Sequence, residues 1–328
     1  MMMKAATYHG FGKAIDVLKV EQLALPRPGT KQVVVKMASC GMNPSDTKLR
    51  SGTSRALTDS WQIPGSDGAG TIHEVGDGVT SFQIGQRVWV FNAAFLRPHG
   101  TAAEYCLLED WMVVPLSEDL SFQEGACLGI PVMTAHRCLF SDGDLQGKIV
   151  LVAGGAGVVA NYAIQLAKWG GATVLTTVSS DIKAEHAKRA GADFVLNYKT
   201  EDIVQRVNEI TNQQGVDRVI EVDFGANLHL NAQILKPGGT SVMYAYVAAP
   251  TMPLPIGALM SKNITLKFTL IYTITPEQRE TIISDINKWL AVKKPFFAIA
   301  EEFSLDQVVD SHLAIESGNK IGHVIINI

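Results

Sequence analysis

Cysteine is scarce in this chain of 328 residues. The four present, Cys40, Cys106, Cys127 and Cys138, are scattered and form no C-x-x-C pair. That spacing excludes a disulfide framework or a zinc ribbon and leaves reduced, buried thiols as the expectation. Charged residues make up only 18% and the formal charge is −4, so there is no basic stripe and no nucleic-acid partner is expected. Runs of like charge, low-complexity segments and fixed-period repeats are absent as well. None of the eight histidines sits in an H-E-x-x-H cluster, and two S-x-x-K strings, Ser45 with Lys48 and Ser180 with Lys183, lack the S-D-N, K-T-G or G-x-S-x-G companions of a serine hydrolase. The start, "MMMKAATYHG", has no long apolar core, so a cytoplasmic location is expected rather than secretion. One uncharged stretch, Ile149 to Ala167, is about long enough to span a bilayer. Its glycine cluster splits it into a strand and a helix, and Asn161 and Gln165 lie inside, so no membrane span is expected.

What is present is ample apolar material, 47% of the residues, enough for two domains of an ordinary globular protein. To about Glu124 the chain reads as short alternating runs broken by Gly and Pro: "QVVVKMASCG", "GAGTIHEVG", "QRVWVFN" and "AAEYCLLED". From about Gly147 the rhythm becomes strand, helix, strand. Six strand candidates, "KIVLVAG", "TVLTTV", "DFVLNY", "DRVIEVD", "TSVMYAY" and "ITLKFTL", have helix-sized segments between the first five. This alternation predicts a doubly wound parallel sheet. Gly191 and Gly215 are expected to close helices in the left-handed conformation. Thr275 with Gln278, and Ser304 with Gln307, read as capping boxes, and Pro276 suits a first helical position. The tail is too short for a third domain and is expected to rejoin the first. The expectation is an α/β chain with a Rossmann domain at 125–265 inserted into a split, mainly β domain at 1–124 and 266–328.

The stretch Gly155-Ala156-Gly157-Val158-Val159-Ala160 satisfies G-x-G-x-x-G/A after a strand and before a helix. Gly155 is expected to make the tight turn and Gly157 to let the backbone approach a pyrophosphate, with the free N–H groups and positive end of the helix aimed at it. Val158 leaves those donors in place and adds bulk. At the end of the second strand, "TTVSSDIK" carries Ser179, Ser180 and Lys183 where NAD sites place an acid. Hydroxyls and an ammonium suit a 2′-phosphate, which favours NADPH; Asp181 keeps NAD open, as does a reading of Lys183 as a solvated helix residue.

With these motifs in this order the chain resembles the zinc-independent quinone oxidoreductases, of zeta-crystallin type, of the medium-chain dehydrogenase/reductase superfamily. The further carriers are "ASCGMNPSDTKLRSG", "IPGSDGAGTIHEVGDGV", "GIPVMTAHRCL", "GVDRVIEVDFGANL" and "ESGNKIGHVIINI". The resemblance implies a GroES-like domain around the Rossmann insertion, a homodimer, and hydride transfer from NADPH to a quinone or related conjugated carbonyl; an enone or enoyl-thioester reductase, or a catalytically weak NADPH-binding protein, shares that scaffold. Positions that hold catalytic zinc in relatives align with Asn43, Ser66 and Ile130, so no metal is expected. An acceptor whose conjugation delocalises incoming charge does not need one. The resemblance places Asn43 and Thr134 beside the nicotinamide as catalytic residues, although a turn-stabilising Asn before Pro44 and a helix-packing Thr account for them equally. It places Gly157, Val158 and Val159 on the phosphates, Ser179, Lys183 and Tyr198 around the 2′-phosphate, and Asn227, Tyr244, Ala245 and Tyr246 along the cofactor groove. Val158, Lys48 and Asn319 depart from the family pattern, and Asp46 reads as a structural ion-pair partner.

Overall fold

The structure is a computed structural model, and it describes residues 1–245, 251–292 and 294–328. The chain divides into two compact units, Met1–Ile130 with Phe297–Ile328, and Pro131–Phe296.

The first unit contains β1 (Met2–Thr7), α1 (Ala14–Val17), β2 (Lys19–Ala24), β3 (Gln32–Met42), α2 (Pro44–Ser51), β4 (Asp67–Val75), β5 (Arg87–Val90), β6 (Tyr105–Glu109), β7 (Val113–Pro115) and α3 (Phe122–Gly125). Its spine is β3, whose run Val33, Val34, Val35 is fully buried. β3 pairs antiparallel with β4 and β6. Among the described residues, one cluster in this unit lies around Tyr8, Ile63 and Ile326 and another around Val35, Ile72 and Leu108.

The second unit opens with α4 (Ile130–Phe140) and continues through β8 (Ile149–Val152), α5 (Val158–Trp169), β9 (Thr173–Val178), α6 (Asp181–Ala190), β10 (Phe194–Asn197), α7 (Ile203–Ile210), β11 (Val216–Glu221), α8 (Phe224–Ile234), β12 (Leu235–Met243), α9 (Ile256–Ser261), β13 (Thr265–Phe268) and α10 (Pro276–Val292). Its six strands run in the order β10-β9-β8-β11-β12-β13, all parallel. Covered on both faces, β8 is the uniformly apolar "IVLV", as central parallel strands must be. The uncharged stretch from Ile149 is therefore divided between β8 and α5, and no described helix is long and apolar enough to cross a membrane.

The chain returns to the first unit through β14 (Ile299–Ser304), α11 (Val308–Glu316) and β15 (His323–Asn327), and β15 pairs with β3. That return falls at 297, not at the expected 266, and the insertion begins at 131 rather than 125. The reason is packing. β13 is the sixth strand of the parallel sheet. α10 buries Ile282, Ile286 and Trp289 and meets α4 and α5 through His136–Asp285 and Tyr162–Trp289. Both capping boxes form: Thr275 and Gln278 exchange bonds of 3.1 and 3.3 Å, and Ser304 N–H reaches Gln307 at 3.0 Å. Gly191 caps α6 with φ 103°. Gly215 does not cap α7, which ends on Thr211; its φ of 79° serves the loop beyond.

Candidate active site

The glycine turn after β8 has a different division of labour from the one its sequence suggests. Gly154 is the residue in the left-handed region, φ 68°. Gly155 is required by packing, because a Cβ there would lie 2.1 Å from Thr176 Oγ1, which itself donates to Val152 O at 2.7 Å. Gly157 is the N-cap of α5 at φ −72°, ψ 155°, a conformation open to any residue. A Cβ added to it meets only Gly154 O, at 3.3 Å, and Ala160 Cβ, at 4.0 Å. The fold thus makes a strong demand for glycine at 154 and 155 and a mild one at 157. Among the described residues no side chain caps α5, so the first-turn N–H groups of Val158 and Val159 have no intrahelical partner.

The turn is tied to the end of the next strand. Gly155 N–H donates to Thr177 O at 2.9 Å and Gly154 N–H to Thr177 Oγ1 at 3.2 Å. Two residues on, Ser179 Oγ accepts from Lys183 Nζ at 3.0 Å, which brings an ammonium and a hydroxyl together. Tyr198, half exposed at 53%, follows β10, and its N–H donates to Val178 O at 3.1 Å. Ala156 is buried beside the turn. All these residues lie at the carboxyl ends of β8, β9 and β10, where doubly wound sheets bind ligands.

Beyond β11 the reading is different. Asn227 Nδ2 donates to Glu221 Oε1 at 2.9 Å, and Asn231 Nδ2 to Glu221 Oε2 at 2.9 Å. Asn227 is therefore fixed by a fully buried carboxylate that sequence reasoning passed over. Tyr244 N–H joins Glu221 O at 3.2 Å, and burial raises its phenol pKa. Ala245 follows Tyr244; Tyr246 lies outside the described residues. Thr134 is buried at 5% exposure on α4.

In the first unit, Asn43 is buried at the start of α2. Its Nδ2 donates to Asp67 Oδ2 at 2.7 Å, and Ile130 N–H donates to Asp67 Oδ1 at 2.9 Å. Asp67 is thus the point on which two of the three positions aligned with zinc ligands converge, and Ser66 precedes it. Burial pushes the Asp67 carboxyl well above the usual carboxylate range, against the pull of those two donors. Asp46 makes no ion pair among the described residues. It accepts Asn43 N–H at 2.8 Å and Gly65 N–H at 3.3 Å, and burial raises it to about 7. Two backbone amides meet its needs where a cation was expected. Lys48 is exposed on α2.

Comparison with known proteins agrees with this division. The family described as "Alcohol dehydrogenase GroES-like domain" matches residues 29–118, and "Zinc-binding dehydrogenase" matches 158–288. The quinone oxidoreductase of Rattus norvegicus is 31% identical over 328 residues, 99% of this chain and 98% of the relative. The chain belongs to the quinone oxidoreductases of the medium-chain dehydrogenase/reductase superfamily. Among solved members of this family, the quinone oxidoreductase of Pseudomonas syringae pv. Tomato DC3000 is 27% identical with a TM-score of 0.88, each chain covered fully. A mycobacterial protein solved with NADPH is also 27% identical, at TM-score 0.87 over 99% of this chain and 100% of that one. The stretch matched under the zinc-binding name contains no cysteine.

Proposed function

We propose that this chain is an NADPH-dependent quinone oxidoreductase that delivers hydride to a quinone or related conjugated carbonyl without zinc. The observation that carries the reading is the uncapped N-terminus of α5 above Gly157, a ready diphosphate site, with Lys183 and Ser179 paired at the end of the neighbouring strand. The likeness to a mycobacterial protein solved with NADPH, and to named quinone oxidoreductases, supports it. Gly157, Val158 and Val159 would hold the diphosphate; Ser179, Lys183 and the Tyr198 ring would hold the 2′-phosphate. Bound there, NADPH would supply the hydride. Asn43 and Thr134 would orient the reacting groups. An amide committed to Asp67, a hydroxyl and an aliphatic side chain do not make a zinc donor set. Conjugation in the acceptor replaces the charge stabilisation a metal gives.

NADPH oxidation measured with quinone, enone and enoyl-thioester panels is the test. Turnover confined to enoyl thioesters would transfer the assignment to that class, and activity lost on chelation with stoichiometric zinc present would overturn metal independence. Lys183→Ala is expected to weaken NADPH binding about tenfold, one charge-assisted contact, with NADH almost unaffected. Tighter binding of NADH than NADPH by the unaltered protein would refute the preference.

A homodimer completes the proposal. Among the described residues β13 forms one edge of the six-stranded sheet, and it exposes Phe268 at 78% with Leu270 beyond it at 56%. An apolar open edge favours pairing with a second copy. Light scattering is expected to give twice the chain mass, and Phe268→Glu to halve it.

A further inference from the structure

Asp67 is 1% exposed, and its seat is built for a carboxylate. A Cβ at Gly129 would stand 2.1 Å from Oδ1. Thr101 Oγ1 donates to its backbone oxygen at 2.6 Å, fixing the main chain at the start of β4. One carboxylate oxygen is held by Ile130 N–H, which can only donate. The other faces Asn43 at 2.7 Å. The Asn43 main chain is held in turn, its N–H on Asp46. A side-chain amide has two unlike ends, one that accepts and one that donates. In the structure both carboxyl oxygens of Asp67 accept, Oδ1 from Ile130 N–H and Oδ2 from Asn43 Nδ2, so Asn43 turns Oδ1 away from Asp67 and keeps one Nδ2 proton for another acceptor.

We infer that Asp67 is a positioning residue that fixes the polarity of the Asn43 side chain, so that the amide meets the carbonyl oxygen of the electron acceptor with one chosen end. The inference rests on the reading of Asn43 given under the proposed function. Asp67 itself touches neither acceptor nor cofactor in this scheme. It supplies a fixed dipole, ready before the acceptor arrives, at an atom where negative charge grows as hydride is received.

Two variants keep a matched hydrogen bond and reverse its sense. In Asp67→Asn the amide oxygen still accepts from Ile130 N–H, and its nitrogen now donates, so Asn43 turns over. In the double variant Asn43→Asp with Asp67→Asn, the donor and acceptor exchange places outright. Asp67→Asn is expected to unfold at the unaltered protein's denaturant midpoint and to bind NADPH within about twofold, while in both variants kcat for quinone reduction falls at least about tenfold, in the range set by loss of one oriented donor. A purely structural role for Asp67 predicts the opposite for Asp67→Asn, where Asn43 is untouched and the match is kept: full turnover. Turnover within twofold of the unaltered protein in either folded variant overturns the inference. Failure of the unaltered protein to bind NADPH or reduce any quinone overturns the functional reading instead, and the two failures are read in different proteins.

Discussion

Gly157→Asp is expected to abolish NADPH binding and leave the fold at least as stable as before. Residue 157 is the N-cap of α5, with extended backbone angles in which aspartate is among the best caps. A new Cβ would press on Gly154 O at 3.3 Å, a tight contact that the turn relieves by giving a few tenths of an ångström. The new carboxylate would accept the first-turn N–H groups that the diphosphate needs, so the site is closed by its own donors. It would also repel the ligand. One unit charge about 5 Å from another at an effective dielectric near 20 costs about 3 kcal/mol, or about a hundredfold in affinity. Gly155→Ala is the contrasting change. Its Cβ would fall 2.1 Å from Thr176 Oγ1 in a fully buried strand, and overpacking of that kind costs about 1–3 kcal/mol of stability. Titration calorimetry with NADPH and chemical unfolding of both variants check the pair. Retained affinity in Gly157→Asp would show that the helix tip is not the phosphate site.

The same turn shows what the sequence discloses and what it withholds. Adjacent small residues, "AGGAG", announce a turn between strand and helix, yet only backbone angles reveal that Gly154, not Gly155, is left-handed. The six parallel strands were readable because each is a local run of β-branched and apolar residues followed by a helical period. Their membership was harder. "ITLKFTL" has the same pattern whether it ends the parallel sheet or begins the split domain. Only its partner β12 decides that it ends the parallel sheet, with a further helix before the chain returns to the first unit at 297. Capping boxes were legible because both partners lie three residues apart. Asp67 was missed for the converse reason: its partners Asn43 and Ile130 are 24 and 63 residues distant. Glu221 left one signal, a charge at the end of the apolar run "RVIEV", and Lys183 left another in its spacing of four from Ser179.

His312→Leu is expected to stabilise the protein, and to do so increasingly as pH falls. His312 lies on α11 with no exposed surface, and neither ring nitrogen has a partner among the described residues. Burial, with the Arg50 guanidinium nearby, lowers its pKa to about 3. Replacing it with a side chain of similar volume removes two unsatisfied polar atoms, worth about 1–3 kcal/mol at neutral pH. Below pH 6.5 the unfolded chain binds a proton at this residue and the folded chain does not. The stability that a neutral His312 preserves is therefore whole above pH 6.5 and falls by about 1.4 kcal/mol per pH unit toward pH 3. At pH 4.5 the variant should lead by about 3 kcal/mol more than at pH 7. Asp46 works in the other direction. Its folded pKa of about 7 exceeds the unfolded value, so the folded state holds the extra proton, and its share of stability is whole below the unfolded pKa and lost as pH rises through 7. Between pH 4.5 and 6.5 the slopes of these two groups oppose each other. The difference between variant and unaltered protein cancels Asp46 and isolates His312. Urea unfolding of both at pH 7, 6 and 4.5 measures it; a constant difference across that range would mean that His312 binds its proton in the folded state too.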